Sequence, residues 1–204
     1  MTFVKTTIAA ALAALLASTG TPAVAAPTVG GPAPAFSAKD THGKTRTLDE
    51  FKGKRVVLEW HNQGCPFVAK HYGSGNMQRL QQKLTADGVV WLTVISSAPG
   101  KQGHVTAAEA DAYVAEKKAS PTAVLLDDDG SVGRAYGAKT TPHMFLIDEK
   151  GTLVYAGAID DKATTDPADV AGAKNYVLAA YDDLKAGKPV ATASTAPYGC
   201  SVKY

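Results

Sequence analysis

The sequence has little cysteine and no excess of either charge. Its 204 residues carry 21 lysines and arginines against 19 aspartates and glutamates, which leaves a formal net charge of +2. This balance excludes the strong positive field by which proteins bind nucleic acid, so we expect no nucleic-acid partner. The only two cysteines are Cys65 and Cys200. They allow one disulfide within the chain, and the sequence alone leaves open whether it forms.

Long apolar runs are also scarce. After residue 25, no stretch approaches the roughly 20 apolar residues that a transmembrane helix needs. The apolar run at 8–16 is too short to span a bilayer, follows the single charge of Lys5, and precedes a small-x-small cleavage site at 23–25. We therefore predict a secretory signal peptide over residues 1–25. The mature protein is then secreted or periplasmic and is not inserted in a membrane.

Short apolar runs alternate with helical patterns along the rest of the chain. Three buried strands are predicted at 56–60, 89–95 and 122–126, and two hairpins around the turns at 40–43 and 148–151. Helices are predicted from Cys65 to Gly88 with an interruption at 73–75, over 107–118 from a capping box at Thr106 and Glu109, and over 166–186.

This order of elements predicts one α/β domain over residues 26–187. A hairpin, a β-α-β-α-β stretch, a second hairpin and a last helix require a sheet that is covered by helices on both faces. We therefore predict three layers, with a central mixed sheet flanked by helices and an N-terminal hairpin extension. Residues 188–204 form an extended C-terminal tail, and nothing in their alanine- and threonine-rich composition predicts order.

Cys65 is the strongest candidate for chemistry. It stands where a predicted buried strand ends and a helix begins, with Pro66 at the first helical position, where its missing N–H costs nothing. Unpaired backbone N–H groups at a helix start favour a thiolate, which is the nucleophilic form of cysteine. His61, Lys70 and His71 are near in sequence and offer a cationic or hydrogen-bonding partner. The alternative is a buried cysteine that acts as a small hydrophobic residue.

Metal sites are poorly supported. The three acids at 127–129 lack the alternation of a calcium loop, so a plain turn is predicted there. His143 follows Pro142 and could face Cys65, which allows a copper-handling hypothesis. One cysteine with one or two histidines is a thin ligand set for a soft metal. We therefore predict no metal and no cofactor.

Several strings stand in a fixed order: 56–60, Cys65-Pro66-Phe67-Val68, Tyr136-Gly137, Thr141-Pro142 and 145–151. In order and spacing they resemble the redoxin branch of the thioredoxin superfamily over residues 28–186. Within that branch, the chain is most similar to peroxiredoxin-like thioredoxin-family proteins. Those proteins keep a single active-site cysteine and end in Gly-Cys-x-x-Lys-aromatic, here residues 199–204. The resemblance implies a thioredoxin-like fold.

The chain departs from both well-known patterns of that superfamily. Thioredoxin-type reductases carry a second cysteine three residues after the first, where this chain has Val68, so exchange within the motif is excluded. Peroxiredoxins place a threonine or serine where this chain has Asn62, and an arginine near the place of Pro142. The resemblance also implies that Thr141-Pro142 has a cis bond and docks the backbone of the substrate.

We predict a thiol-disulfide oxidoreductase or a thiol-dependent antioxidant protein. Cys65 is the predicted nucleophile, and Cys200 either resolves its mixed disulfide or forms a structural disulfide with it. Thr141 and Pro142 are the predicted docking residues, and the predicted supporting residues are Trp60, Asn62, Pro66 and His143. The partners are a thiol or disulfide substrate, protein or small molecule, and an unidentified electron donor. The alternative functions are a non-catalytic binding module of the envelope and a copper-handling protein.

Overall fold

A computed structural model describes Thr2 and residues 27–204 of the chain. The predicted signal peptide, apart from Thr2, lies outside the described residues. Nine strands and five α-helices are assigned in the described part, together with two short 3-10 helices. In chain order they are β1 Ser37–Asp40, β2 Thr45–Thr47, the 3-10 helix Leu48–Phe51, β3 Val56–Trp60, α1 Pro66–Gly73, α2 Asn76–Ala86, β4 Val90–Ile95, α3 Ala107–Lys117, β5 Ala123–Leu126, α4 Ser131–Tyr136, β6 Thr140–Thr141, β7 His143–Ile147, β8 Leu153–Gly157, the 3-10 helix Pro167–Gly172, α5 Tyr176–Lys185 and β9 Cys200–Ser201.

Seven of the strands form one mixed sheet in the order β2-β1-β5-β4-β3-β7-β8. Strands β3, β4 and β5 are parallel, whereas β7 and β8 and the β1–β2 hairpin are antiparallel to their neighbours. All residues of β3, β4 and β7 are buried, because helices cover both faces of the sheet. The predicted α/β architecture of three layers around a central mixed sheet is confirmed.

Two large apolar cores lie on opposite faces of this sheet. One core joins α1, α2 and α5 to side chains such as Trp91 and Met144, and it includes Cys65. The other contains Trp60 and Phe145 together with residues of α4. Alternate side chains of a strand point to opposite faces, so neighbouring residues of β3 enter different cores. Trp60 and Cys65 are therefore in different cores although both belong to the same strand–turn segment.

The predicted plain turn at 127–130 is present, closed by the N–H of Gly130 donating to the carbonyl of Asp127 at 2.9 Å, and the short helix α4 follows it at Ser131. The buried Asp127 carboxylate accepts hydrogen bonds from the backbone N–H groups of Val132 and Gly133, at 3.0 and 2.8 Å, and one from the Ser96 hydroxyl at 2.5 Å. A carboxylate at this place satisfies the unpaired donors of the helix start, so α4 follows the turn directly. Burial raises the pKa of Asp127, against the lowering effect of these hydrogen bonds.

The prediction of one continuous helix over 166–186 is wrong, because the structure has two separate helices there. Asp166 caps a 3-10 helix by accepting from the N–H of Ala168 at 2.9 Å, and that helix ends at Gly172. Asn175 then caps α5 by accepting from the N–H of Leu178 at 2.9 Å. A second capping residue therefore begins a new helix, and the chain between the two helices is extended at Ala173.

The tail at 188–204 runs across the domain as an extended, docked segment. It exchanges backbone hydrogen bonds with Ala156 of β8, pairs through β9 with β6, and donates from the N–H of Val202 to the carbonyl of Lys139 at 3.0 Å. The carbonyl of Lys203 accepts from the N–H of Ala98 at 2.8 Å. These partners are remote in sequence, which is why the composition of the tail gave no sign of its order.

Candidate functional site

Cys65 is held rigidly at the N-terminus of α1. It is the N-cap residue of that helix, Pro66 occupies the first helical position, and the Cys65 N–H donates to the carbonyl of Asn62 at 3.0 Å. The side chain is 0% exposed. β3 ends at Trp60 and the turn follows at once, so the sulfur is placed by a buried strand on one side and a helix start on the other.

The segment Thr141-Pro142 lies directly beside Cys65. The antiparallel register of β3 and β7 pairs Trp60 with His143, which brings the residues before β7 next to the turn after β3. The peptide bond between Thr141 and Pro142 is cis, which confirms the predicted isomer. The thiol of Cys65 donates to the carbonyl of Thr141, with 3.0 Å between sulfur and oxygen.

Cys200 is brought to the same place by the tail. β9 pairs with β6 so that Cys200 stands opposite Thr141, whose carbonyl accepts from the Cys65 thiol, and Cys200 packs against the core that contains Cys65. Both cysteines are free thiols in the structure. Gly199 lies against the Thr141 carbonyl with φ at 131°, and a Cβ atom at this position would overlap that carbonyl. Only glycine therefore allows the tail to approach this closely.

The environment drives the pKa values of the two thiols in opposite directions. Burial opposes ionisation of Cys65, but the Cys200 side chain, the Val68 N–H, the Thr141 side chain and the Cys200 N–H outweigh it, so the pKa of Cys65 is lowered. Burial raises the pKa of Cys200 to about 11, and the neighbouring Cys65 adds to this effect. Cys65 is therefore the thiol that ionises first.

Tyr198 anchors the tail two residues before Cys200. Its hydroxyl donates to the Asp160 carboxylate and accepts from Nε2 of His71 at 3.2 Å, while Nδ1 of His71 accepts from the Asn76 amide at 2.9 Å. This pattern assigns the neutral tautomer of His71 that carries its proton on Nε2. Burial lowers the pKa of His71 to about 4, although Asp160 opposes the shift. The Tyr198 ring packs on Phe67 with 5.7 Å between ring centroids.

Tyr204 anchors the end of the tail on α4. Its hydroxyl donates to the carbonyl of Ala138 at 2.8 Å, and the guanidinium of Arg134 lies 4.7 Å from the centre of its ring. A Cβ atom on Gly133 would stand 2.5 Å from the ring, so this glycine makes room for the tyrosine. The two tyrosines thus fix the tail on both sides of Cys200.

Lys70 and His71, considered from the sequence as partners of Cys65, are turned to the tail instead. The Lys70 ammonium donates to the carbonyl of Lys162 at 2.7 Å and lies 5.9 Å from the centre of the Tyr198 ring. His71 is bound to Tyr198 and Asn76. The helix α1 thus presents Cys65 at its first turn and holds the tail with its later turns.

The predicted supporting residues serve different purposes. Pro66 begins α1 as expected. The Asn62 amide is fully engaged, since its oxygen accepts from the N–H of Gly64 at 2.9 Å and its nitrogen donates to the Gln102 side chain at 2.8 Å. Asn62 therefore fixes the turn that precedes Cys65.

Trp60 and His143 are not brought to the sulfur. The indole of Trp60 donates to the Ser96 hydroxyl at 3.0 Å and packs on Phe145 in the core on the other face of the sheet. His143 pairs with Trp60 across the strands, its ring packs on Phe145 with 4.4 Å between centroids, and its Nδ1 accepts from the N–H of Lys139. Burial lowers the pKa of His143 to about 3. The expectation that His143 faces Cys65 is wrong, because side chains paired across two strands share one face.

A buried carboxylate on β3, which is bonded to α1 through Tyr72, was missed in the sequence. Glu59 is 0% exposed and accepts hydrogen bonds from the Tyr72 hydroxyl at 2.8 Å, the Trp91 indole at 2.9 Å and the Thr93 hydroxyl at 3.2 Å. Burial opposes its ionisation, but His61, Tyr72 and Trp91 lower the pKa of Glu59 on balance. The signal for this residue was a single acid inside an otherwise apolar predicted strand, which is costly unless hydrogen-bonded.

The tail residues were also missed. Tyr198 and Asp160 have no motif that links them in the sequence, and the one available signal was a tyrosine two residues before Cys200 in a tail of small residues. Among residues 27–204, no three or more side chains of histidine, cysteine, aspartate and glutamate are grouped closely enough to hold a metal ion. No helix in the same part of the chain has the length and apolarity needed to cross a membrane.

Comparisons with known proteins place these features in one family. The family model Redoxin matches residues 28–176. The chain is 26% identical over 143 residues to the thioredoxin-like protein YneN of Bacillus subtilis, which covers 69% of this chain and 79% of that protein.

Solved structures show the same fold. A hypothetical protein of Sinorhizobium meliloti 1021 superposes with a TM-score of 0.73 at 27% identity, over 88% of this chain and 96% of that one. A protein described as a thiol:disulfide interchange protein, DsbE, from Chlorobium tepidum superposes with a TM-score of 0.52 at 26% identity, over 63% of this chain and 84% of that one. The fold of this chain is thus shared with thiol-disulfide exchange proteins.

Proposed function

The chain belongs to the redoxin family, and we propose that it is an exported thiol-disulfide oxidoreductase in which Cys65 attacks the substrate and Cys200 resolves the mixed disulfide. The observation that carries this proposal is the register of β6 and β9. It sets Cys200 opposite Thr141, whose carbonyl accepts the hydrogen bond of Cys65. The tail thereby supplies the second thiol that Val68 cannot provide.

The reaction needs two thiol-disulfide exchanges. The Cys65 thiolate attacks one sulfur of a substrate R–S–S–R′, forms R–S–S–Cys65 and releases R′–S⁻. The Cys200 thiolate then attacks the Cys65 sulfur, forms the Cys65–Cys200 disulfide and releases R–S⁻. The substrate gains two electrons and the protein loses two. Because both thiols are held by one fold, the second exchange is intramolecular and gains the advantage of proximity.

The opposite pKa shifts suit this order of steps. Cys65 has the lowered pKa and therefore supplies the first thiolate. Cys200 is kept protonated by burial and by the neighbouring Cys65. Once Cys65 is bound in a mixed disulfide it can no longer carry a negative charge, so one cause of the raised pKa of Cys200 is removed. Cys200 is thus activated by the first step.

Thr141 and Pro142 remain the proposed docking segment for an extended substrate. In the structure, the backbone edge of Thr140 and Thr141 is paired with β9. A protein substrate that binds along this edge must therefore displace β9. A small disulfide also needs the tail to move, because the Cys65 side chain is 0% exposed in the structure.

Disulfide exchange is better supported than peroxide reduction. The Asn62 amide, at the place where peroxiredoxins carry a threonine or serine, is already bonded to Gly64 and Gln102. The similarity to the interchange protein of Chlorobium tepidum also favours disulfide chemistry. Export is proposed from the signal-peptide pattern at 1–25 and places the protein in a compartment where disulfides persist.

The test is the equilibrium reduction potential of the mature protein, measured by thiol labelling across glutathione and dithiothreitol buffers. A Cys65–Cys200 disulfide with a reduction potential of about −200 mV would support the proposal. A value below about −300 mV would instead identify a structural disulfide and favour a non-catalytic binding module.

Two variants complete the test. Cys200→Ser should still form a mixed disulfide at Cys65 but should stop after one exchange, so unchanged turnover with a dithiol reductant would contradict the resolving role. Cys65→Ser should abolish exchange. Tight copper binding by the reduced protein that is lost in Cys65→Ser would favour the copper-handling alternative.

A further inference from the structure

The two sulfurs of the proposed redox pair differ in their access to solvent. The Cys65 side chain is 0% exposed, because it lies beneath Thr141 and the tail. Cys200 is only partly buried, since it belongs to a two-residue strand at the surface whose next residue, Ser201, is exposed. A thiol that approaches from solution can therefore meet Cys200 and not Cys65.

We infer that an external thiol reduces the Cys65–Cys200 disulfide by attacking Cys200, so that Cys200 forms the mixed disulfide with the reductant and Cys65 leaves. This inference rests on the proposed function. The first exchange converts R–S⁻ and the Cys65–Cys200 disulfide into R–S–S–Cys200 and the Cys65 thiolate. A second thiolate then attacks the R sulfur, giving R–S–S–R and the Cys200 thiolate. Two external thiols lose two electrons, and the two cysteines gain them.

The surroundings of the two sulfurs fit these roles. In thiol-disulfide exchange the better leaving group is the thiol with the lower pKa. Burial opposes ionisation of Cys65, and the Cys200 side chain, the Val68 N–H at the start of α1 and the Thr141 side chain lower its pKa. The Val68 N–H belongs to the domain and stays at the helix start when Cys200 is bound to the reductant. A Cys65 thiolate released from the disulfide is therefore stabilised where it is formed. Cys200 has no such helix start beside it.

The tail keeps Cys65 covered in the oxidised state. Tyr198 is bound to Asp160 and His71 on one side of Cys200, and Tyr204 is bound to Ala138 on the other. A disulfide adds a covalent tether between the tail and the domain. The cover over Cys65 is therefore most secure in the form that the reductant must attack. The tail thus decides which sulfur reacts with which partner. Cys65 reacts with the oxidised substrate, and Cys200 reacts with the reductant.

The experiment identifies which cysteine carries the reductant. The mature protein is oxidised with diamide, mixed with reduced glutathione, quenched with acid at a series of short times, and blocked with N-ethylmaleimide. Trypsin separates the two cysteines into different peptides, 56–70 and 186–203, which mass spectrometry distinguishes. Extrapolation to zero time removes later transfer of glutathione between the cysteines.

We expect glutathione on the 186–203 peptide and N-ethylmaleimide on the 56–70 peptide, by a ratio of at least about tenfold at zero time. Equal labelling, or glutathione mainly on Cys65, would overturn the inference. Cys65→Ser and Cys200→Ser proteins loaded with glutathione at their remaining cysteine calibrate the detection of each peptide. If diamide gives no disulfide between the two peptides, the proposed function fails together with the inference, and this result is seen before glutathione is added.

Discussion

Cys65 and Cys200 lie side by side, but they are held by different kinds of interaction. Cys65 stands between a buried strand and the first turn of α1, and its position follows from the main sheet of the domain. Cys200 belongs to a strand of two residues that pairs with β6 and with no other strand among residues 27–204. Its position depends on Gly199 and on two tyrosine anchors. The proposed nucleophile is thus part of the core, whereas the proposed resolving thiol is held against the core by the tail.

Because of this difference, a change in the tail can separate the Cys200 sulfur from the Cys65 sulfur without unfolding the domain. Changes in the tail should alter the Cys65–Cys200 equilibrium far more than the stability of the sheet. The changes below test that separation, from the largest expected effect to the smallest.

Gly199→Val should separate the two thiols most. A Cβ atom would overlap the Thr141 carbonyl, and the positive φ of Gly199 is strained for any β-branched residue. We expect the equilibrium constant for the Cys65–Cys200 disulfide to fall by about 100-fold in glutathione buffers. Gly187→Val is the matched control, because Gly187 also has a positive φ, 68°, but has no neighbouring atom within 4 Å of a Cβ. An equal fall in both variants would contradict the role of Gly199.

Acid should weaken the anchor at His71. The pKa of His71 falls from the usual 6.5 to about 4 on folding. Between these two pH values, His71 binds a proton in the unfolded chain and does not bind one in the folded protein. The contribution of His71 to the free energy of unfolding is fully present above pH 6.5 and is lost as the pH falls toward 4. The free energy of unfolding should fall by about 2 kcal/mol between pH 7.5 and pH 5 for this reason. His143 contributes in the same direction, because its pKa falls to about 3.

Urea unfolding of the wild type, His71→Gln and His143→Gln at pH 7.5 and pH 5 measures this effect. Each variant should lose its own share of the pH dependence, whereas only His71→Gln should also weaken the Cys65–Cys200 disulfide. An unchanged pH dependence in His71→Gln would show that this histidine is not buried in neutral form.

Tyr198→Phe should have the next largest effect. It removes the hydroxyl that donates to Asp160 and accepts from His71, and it leaves both of these buried groups without that partner. We expect a loss of about 1.5 kcal/mol in the free energy of unfolding, because an unpaired buried polar group bears its full desolvation cost. The disulfide equilibrium constant should fall by about tenfold if the loss is confined to tail docking. An unchanged constant would show that Tyr198 does not position Cys200.

Tyr204→Phe should have the smallest effect. It removes the hydrogen bond to the Ala138 carbonyl but keeps the ring on Arg134 and in the space beside Gly133. We expect a loss of about 0.7 kcal/mol in the free energy of unfolding, since only one neutral hydrogen bond is lost and the contacts of the ring remain. A larger effect than in Tyr198→Phe, measured by the same glutathione equilibrium, would reverse the proposed order of the two anchors.

The half of the site that holds Cys65 was predictable, because its signals are local. The apolar run at 56–60, Pro66 after Cys65 and the capping box at Thr106 each specify their element within a few residues, and all three elements are found. The cis bond before Pro142 followed from the resemblance to redoxins, which the family match confirms.

The half that holds Cys200 was not predictable from the sequence. Docking of the tail depends on pairing with β6 and β8 and on Asp160, all of which are remote in the chain. The face of His143 depends on which strand pairs with β7, and a periodic pattern does not give that partner. Two roles were overlooked because a residue that binds a helix start and a turn residue are the same residue types: Asp127 accepts from the first N–H groups of α4, and Asn175 caps α5.

The hydrogen bonds between the tail and β8 have one further consequence. β8 is the last strand of the sheet, and its outer edge at Ala156 is bonded to Ala193 and Thr195 of the tail. An uncovered edge strand is a template on which another chain can add and begin aggregation. Residues 193–195 of the tail therefore prevent self-association through this edge. If the redox cycle moves Cys200, residues 193–195 must stay bonded to β8 while the end of the tail moves. Otherwise the edge of β8 is exposed and the protein can aggregate.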